Sequence, residues 1–287
     1  MAQNILIHDG NYQDFIGDRH IHRDHNGVDR LLLPPGSLVR YEGRKYGQIP
    51  GLPTFASQIP VIPRSQWPAR CQALTGHTLS DRIRNNKQPI APLDQDGENF
   101  CWRYGPTGAM EVCRTIRQGD PFIRLAPESL AGQASGILPN VGGDPMDALQ
   151  HASDDGACAQ WFLPGYNDRQ PGTWQSGWLQ DRGNHRVQHT LDIGTFDELA
   201  TALLMCIPVV VWYDWWGHCI YATDLVMSSD GRWAVKIRNS WGNWGDDGFA
   251  DIEENRADPN NGGACAVLEI TPCEKAYARQ MAARQAA

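Results

Sequence analysis

Asn239-Ser240-Trp241-Gly242-Asn243-Trp244-Gly245-Asp246-Asp247-Gly248-Phe249 is the most informative stretch of this chain. It follows Arg232-Trp-Ala-Val-Lys-Ile-Arg238, a run of β-forming residues whose period of two places Trp233, Val235, Ile237 and Asn239 on one face of a strand. Asp230-Gly231 just before it is a hairpin signal. Asn239 therefore stands where a strand runs out into a loop rich in glycine and tryptophan. Such strand ends are common places for functional groups, because a rigid scaffold holds them.

Working outward, Val209-Val-Val-Trp-Tyr213, Cys219-Ile-Tyr-Ala-Thr223 and Phe249-Ala-Asp-Ile252 are further short β-rich runs. Helical signals lie earlier in the chain. Ala109, Val112, Cys113 and Ile116 follow i, i+3, i+4, i+7 spacing, and Gly119 and Pro121 supply a stop. Asp144-Pro145 is an N-cap followed by proline at the first helical position, opening a helix through Ala148, Leu149 and Ala152. Thr195-Phe-Asp-Glu198 is a capping box before Leu199 to Cys206. The pattern predicts an α+β protein in which a helical lobe precedes a sheet lobe.

A thiol nucleophile needs a favoured thiolate, a base, a group that orients the base, and donors for the oxyanion. The chain holds a candidate for each. Cys101 directly precedes the first strong helix, where free N–H groups and the helix dipole favour a thiolate. His218 follows Trp215-Trp216-Gly217 at a strand start, and Asn239 ends another strand. Taken singly, these are an inert buried thiol, an ordinary histidine and a turn asparagine; their conjunction is what points to chemistry.

Gln95-Asp-Gly-Glu-Asn-Phe-Cys101-Trp102, Gly217-His218-Cys219 and the Asn239 to Phe249 block together resemble the papain-like cysteine peptidases, in a form similar to proteins carried by bacteriophages and bacteria. Leu125-Ala-Pro-Glu-Ser-Leu130 and Gly142-Gly143-Asp-Pro145 fit the family, and Ile62-Pro63 to Trp67-Pro68 looks like the start of its mature domain. The resemblance implies a two-lobe fold with a cleft between a helical lobe carrying the nucleophile helix and an antiparallel β-barrel-like lobe. It implies Cys101 as nucleophile, His218 as its imidazolium partner and Asn239 as orienter of His218. Gln95 and the backbone N–H of Cys101 would hold the oxyanion, and Trp241 would shield the Asn239–His218 bond. Gly142, Gly143, Pro145, Trp216 and Cys219 would bind substrate, with Pro145, Trp216 and Cys219 bordering an apolar pocket. Three departures stand out. Glu98-Asn99-Phe100 replaces the family's Cys-Gly-Ser, which removes a disulfide partner and predicts added bulk by the groove. Gly105, Pro106 and Gly108 fall in the first turns of the nucleophile helix. The interval from Cys101 to His218 is short, which predicts a missing loop between Tyr213 and Gly217.

Composition bounds the remaining classes. The chain of 287 residues is 41% hydrophobic and 20% charged, ordinary for a globular protein. Its longest apolar runs, such as Ile207 to Trp212, fall far short of a membrane span, and its net charge of -8 argues against a grip on nucleic acid. No secretory signal is legible at the N-terminus, so the expected location is cytoplasmic or virion-associated. No pair among the eight cysteines has C-x-x-C spacing, and most read as reduced, packed thiols. Residues 1–62 read as an arm that packs on a partner or a second copy, 63–273 as the peptidase-like domain and 274–287 as a tail. In the arm, Asp18, His20, His22 and Asp24 would share one face of an extended segment and could ligate a metal. No second ligand pair follows, so the run reads as a solvated loop, with no metal and no cofactor. The expected function is cleavage of peptide bonds by an endopeptidase through an acyl-enzyme, with peptide, protein or peptidoglycan peptide as substrate. The alternative is an interaction component of a larger assembly that keeps the fold with weak or no catalysis.

Overall fold

The computed structural model describes residues 5–15, 21–23, 29–31, 59–131, 137–165, 167–228, 230–274 and 277. In chain order its elements are β1 (Leu6–Ile7), β2 (Ile21–Arg23), β3 (Asp29–Leu31), α1 (Trp67–Ala73), α2 (Leu79–Arg84), α3 (Cys101–Val112), α4 (Pro145–Asp154), α5 (Trp178–Arg182), β4 (Val187–Ile193), α6 (Phe196–Leu204), β5 (Val209–Tyr213), β6 (His218–Met227), β7 (Trp233–Arg238), β8 (Phe249–Glu253), α7 (Glu254–Ala257) and β9 (Gly262–Ile270). Most helices precede the main run of strands, as the α+β reading expects. Asp144 caps α4 by accepting from Met146 N at 2.9 Å, and Thr195 and Glu198 form the reciprocal capping box of α6.

Seven strands form one sheet in the order β1-β8-β7-β6-β5-β9-β4, and β2 pairs with β3 apart from it. The sheet is open, with β1 and β4 as its edges, where a barrel-like lobe was expected. The outer edge of β8 is taken by β1 instead, in parallel register with Ile7 opposite Ile252. All other pairings in the sheet are antiparallel.

Two apolar cores lie on the two faces of the sheet. Along β6, Cys219 and Tyr221 enter the core shared with α2, α3 and α4, whereas Ile220 and Ala222 enter the core shared with α1 and α6. This is the alternation that a strand buried on both faces must show. Every residue of α3 is buried, so the helix is the centre of the first core rather than its cover. Gly105 and Gly108 mark where α3 crosses β6. A Cβ on Gly105 would stand 2.7 Å from Cys219 Sγ and 3.0 Å from the Ile220 carbonyl oxygen, and one on Gly108 would stand 2.4 Å from the Tyr221 ring. The glycines let helix and strand approach, and α3 nonetheless begins at Cys101 and continues through Pro106. It then widens into a π-turn at Cys113–Arg117 and stops at Gly119, whose φ is +78°.

The described parts of the expected arm are built into this same chain. Ile7 is fully buried in the second core, Asp9 pairs with Arg256 at 2.5 Å, and Tyr12 meets the Trp215 ring edge-on at 5.8 Å. Ile62 N donates to Thr201 Oγ1 at 2.9 Å. Asp18, His20 and Asp24 lie outside the described residues, as does most of 274–287, and His22 lies in β2. Among the described residues no group of three or more possible metal ligands occurs, and no helix is long and apolar enough to cross a membrane. None of the eight cysteines forms a disulfide.

Candidate active site

Asn239 follows the last residue of β7, and its backbone N–H donates to Gly248 O at 2.8 Å, closing the loop that the opening motif encodes. The loop also docks on residues 93–95. Gly242 N donates to Leu93 O at 3.0 Å, and Gln95 N to Ser240 O at 3.0 Å. Gly242 has φ +59°, and a Cβ there would sit 2.7 Å from Asp94 Oδ2, so both the backbone conformation and the space require glycine.

His218 opens β6, and its Nε2 is 2.7 Å from Asn239 Oδ1. The same oxygen accepts from Ser240 N at 2.8 Å. A backbone N–H can only donate, so the asparagine atom at this point is the oxygen, and His218 must carry its hydrogen on Nε2. In the neutral ring Nδ1 is then the basic nitrogen, and it has no hydrogen-bond partner among the described residues. The ring is fully buried, and burial pushes its pKa down to about 4, against a smaller upward pull from Asn239. Burial thus disfavours the charged form of the ring.

Aromatic rings wall this pair. Trp241 stacks on His218 with centroids 4.6 Å apart and an interplanar angle of 26°. Trp216 meets the imidazole edge-on at 4.9 Å. Trp244 packs on Trp241 at 5.5 Å, and Trp215 stacks on Trp216 at 5.5 Å. Rings packed this way fix the imidazole's orientation and exclude water from its hydrogen bond.

Cys101 is the first residue of α3 and is buried. One helical turn later Gly105 contacts Cys219 and Ile220, so Cys101 stands level with the start of β6, where His218 lies. Gln95 is fully buried; its Oε1 accepts from Ser240 Oγ at 2.5 Å and its Nε2 donates to Glu98 O at 2.8 Å. One amide hydrogen is thereby committed within the 95–98 turn. Ser240 was not singled out from the sequence. It joins the site through three atoms: its N–H holds Asn239, its hydroxyl holds Gln95, and its carbonyl accepts from Gln95 N. The only sequence signal for it is its place directly after a strand-ending asparagine.

The Glu98-Asn99-Phe100 segment corrects one expectation. Phe100 does not crowd a groove; it is fully buried in the first core, with the Arg103 guanidinium 4.2 Å from its ring centroid. Where a disulfide would anchor this segment, Glu98 pairs with Arg169 at 3.3 Å and Asn99 N donates to Asn140 Oδ1 at 2.6 Å. The expected short connection is present, with β5 passing to β6 through residues 214–217.

The substrate-binding set divides. Gly142 and Gly143 are partly exposed beside Trp102, where a Cβ on Gly143 would lie 2.5 Å from the indole, so this backbone lies next to the residue after Cys101. Pro145 is buried in the first turn of α4. Trp216 and Cys219 do not join it in one pocket: Trp216 lies in the second core behind His218, Cys219 faces α3 in the first, and both are fully buried. Trp216 belongs to the turn before β6, whereas Cys219 is the second residue of the strand and faces α3.

No family model matches the chain, and no curated protein matches it. Solved structures do. The chain is similar to the proform of the Amb a 11 cysteine protease, a major ragweed pollen allergen, at 16% identity and TM-score 0.51 over 71% of this chain and 75% of that one. It is similar to xylellain, a cysteine protease from Xylella fastidiosa, at 16% identity and TM-score 0.52 over 66% and 85%. It is also similar to procathepsin L 3 of the Tenebrio molitor larval midgut, at 19% identity and TM-score 0.50 over 65% and 73%. The two cores, the helix that begins at Cys101 and the open sheet carrying His218 and Asn239 together make up the papain-like fold.

Proposed function

We propose that the chain is a cysteine-type peptidase that cleaves peptide bonds through an acyl-enzyme, with Cys101 as nucleophile. The observation that carries this reading is the His218 Nε2–Asn239 Oδ1 bond beneath Trp241, which leaves Nδ1 as the base at the level of the helix end bearing Cys101. His218 Nδ1 removes the thiol proton as sulfur attacks the amide carbon. The carbonyl oxygen becomes the oxyanion, stabilised by the Cys101 N–H and the Gln95 side-chain amide. Collapse breaks the C–N bond, and the imidazolium returns the proton to the leaving amine. Water then attacks the thioester, giving its proton to His218 and releasing the acid and the thiol. The Gly142–Gly143 backbone flanks the bound peptide.

The test is intact mass after brief treatment with a peptidyl epoxide. One adduct is expected on the wild type, none on Cys101→Ala, and labelling slowed by about a hundredfold on His218→Ala. Absence of an adduct on folded wild type, while a small alkylating reagent still modifies Cys101, overturns the reading. Casein cleavage against loss of cell-wall turbidity then separates protein from peptidoglycan peptide as substrate. A second reading, an assembly component that keeps the fold without turnover, is favoured by burial: Cys101, His218 and Gln95 are 0% exposed and Asn239 is 2% exposed.

A further inference from the structure

At the end of β7 opposite Asn239, six residues and roughly 20 Å along the strand, a cleft of about 520 Å³ opens between Arg232 and Trp233 on one side and Glu253, Glu254 and Asp258 on the other. Most of its carboxylates are engaged. Arg64 holds Glu254 Oε1 at 2.6 Å, and Asp258 Oδ1 accepts from Asn260 N at 2.9 Å. Glu253 differs. Its side chain is 1% exposed, Arg232 Nη1 approaches Oε2 at 2.7 Å as an ion pair, and neither Oε1 nor Oε2 has a hydrogen-bond donor among the described residues. A buried carboxylate oxygen without a donor is costly, by about 1–3 kcal/mol for an ordinary polar group and more for a charged one. Arg232 compensates it only from outside: its side chain is 53% exposed, and it is shared with Asp230 at 2.5 Å on the turn that contains Gly231.

An ionised carboxylate only accepts hydrogen bonds, so whatever completes Glu253 must donate, and the surplus of carboxylates around it selects a cation. The residues form no group of possible metal ligands, whereas the Trp233 ring on the wall suits an organic cation. The cleft volume falls in the range of ligand sites rather than of a lone head group. We infer that this cleft binds the guanidinium or ammonium group of a basic side chain carried on a polypeptide, which donates to Glu253 Oε1 beside Trp233. Arg232 is the internal cation at its mouth and competes for the same carboxylate. The inference stands apart from catalysis, because no residue of the cleft belongs to the candidate active site.

The test is calorimetric titration of the full chain with acetyl-Ala-Arg-Ala-amide, its citrulline counterpart, and agmatine as a free small cation. The arginine peptide is expected to bind saturably, at least tenfold tighter than the citrulline peptide and several-fold tighter than agmatine. Glu253→Gln, nearly isosteric, is expected to weaken the arginine peptide at least tenfold. Arg232→Ala, a change at an exposed side chain, is expected to tighten it several-fold by freeing Oε2. Equal binding of arginine and citrulline peptides, or unchanged binding in Glu253→Gln, overturns the site. If Glu253→Gln fails to fold, Arg232→Ala decides alone, and unchanged or weaker binding there overturns the site. Agmatine binding as tightly as the peptide overturns the polypeptide assignment.

Discussion

His218 illustrates how burial sets chemistry at the scale of one residue. Its pKa falls from 6.5 to about 4 because the charged ring is denied water. Between those values the unfolded chain binds a proton that the folded chain does not, so this group makes stability rise with pH from about 4 to 6.5 and fall on acidification. We expect His218→Gln to flatten that acid limb by up to about 3 kcal/mol, at about 1.4 kcal/mol per pH unit, read as the difference in urea midpoints between pH 7 and pH 4.5. An acid limb identical to wild type would show that the folded ring is solvated. Ser240 is the second case. Removing its hydroxyl in Ser240→Ala takes away the hydrogen bond that Ser240 Oγ donates to Gln95 Oε1 in a buried site. A stability loss of about 1–3 kcal/mol is expected, together with slower epoxide labelling of Cys101; a variant as stable and reactive as wild type would remove Ser240 from the site.

Among elements, α3 and β6 decide where the chemistry sits. Helix periodicity over Ala109 to Ile116 was legible, and so were the caps of α4 and α6, because these signals are local. The glycines and proline of α3 read as a weakness of the helix, yet Gly105 and Gly108 are the positions where it touches β6. Nothing local encodes a strand more than a hundred residues away. Gly105→Ala places a methyl group against Cys219 Sγ and the Ile220 backbone, and the backbone has nowhere to move. The expected cost is about 1–3 kcal/mol, with Cys101 displaced from the start of β6, so labelling should slow more than denaturation midpoints alone explain. Strands β4 and β9 went unread. The first half of β9, Gly262-Gly-Ala-Cys-Ala266, lacks the β-branched and aromatic residues that mark strands, and it is a strand because β4 and β5 pair with it on both sides.

Across the molecule, the outer edge of β8 is covered by a segment more than two hundred residues earlier in the chain. β1 covers β8, Ile7 enters the second core, and Asp9 with Asn255 and Arg256 fastens the segment. An unpaired β8 edge would be a template for association. A chain lacking residues 1–15 is therefore expected to melt lower and to aggregate in light scattering at concentrations where the full chain does not; an unchanged melting temperature would mean that β1 is dispensable to the sheet.

Residue types and their short-range order already specified the α+β class, the nucleophile, base and orienter candidates, two helix caps and the strand that ends at Asn239. Each depends on neighbours within a few positions, where backbone geometry alone links pattern to structure. Three matters awaited the packed chain: the lowered pKa of His218, the separation of Trp216 from Cys219, and the inward turn of Phe100. All three are consequences of which distant surface covers a side chain, and burial is a property of the assembled cores rather than of any segment.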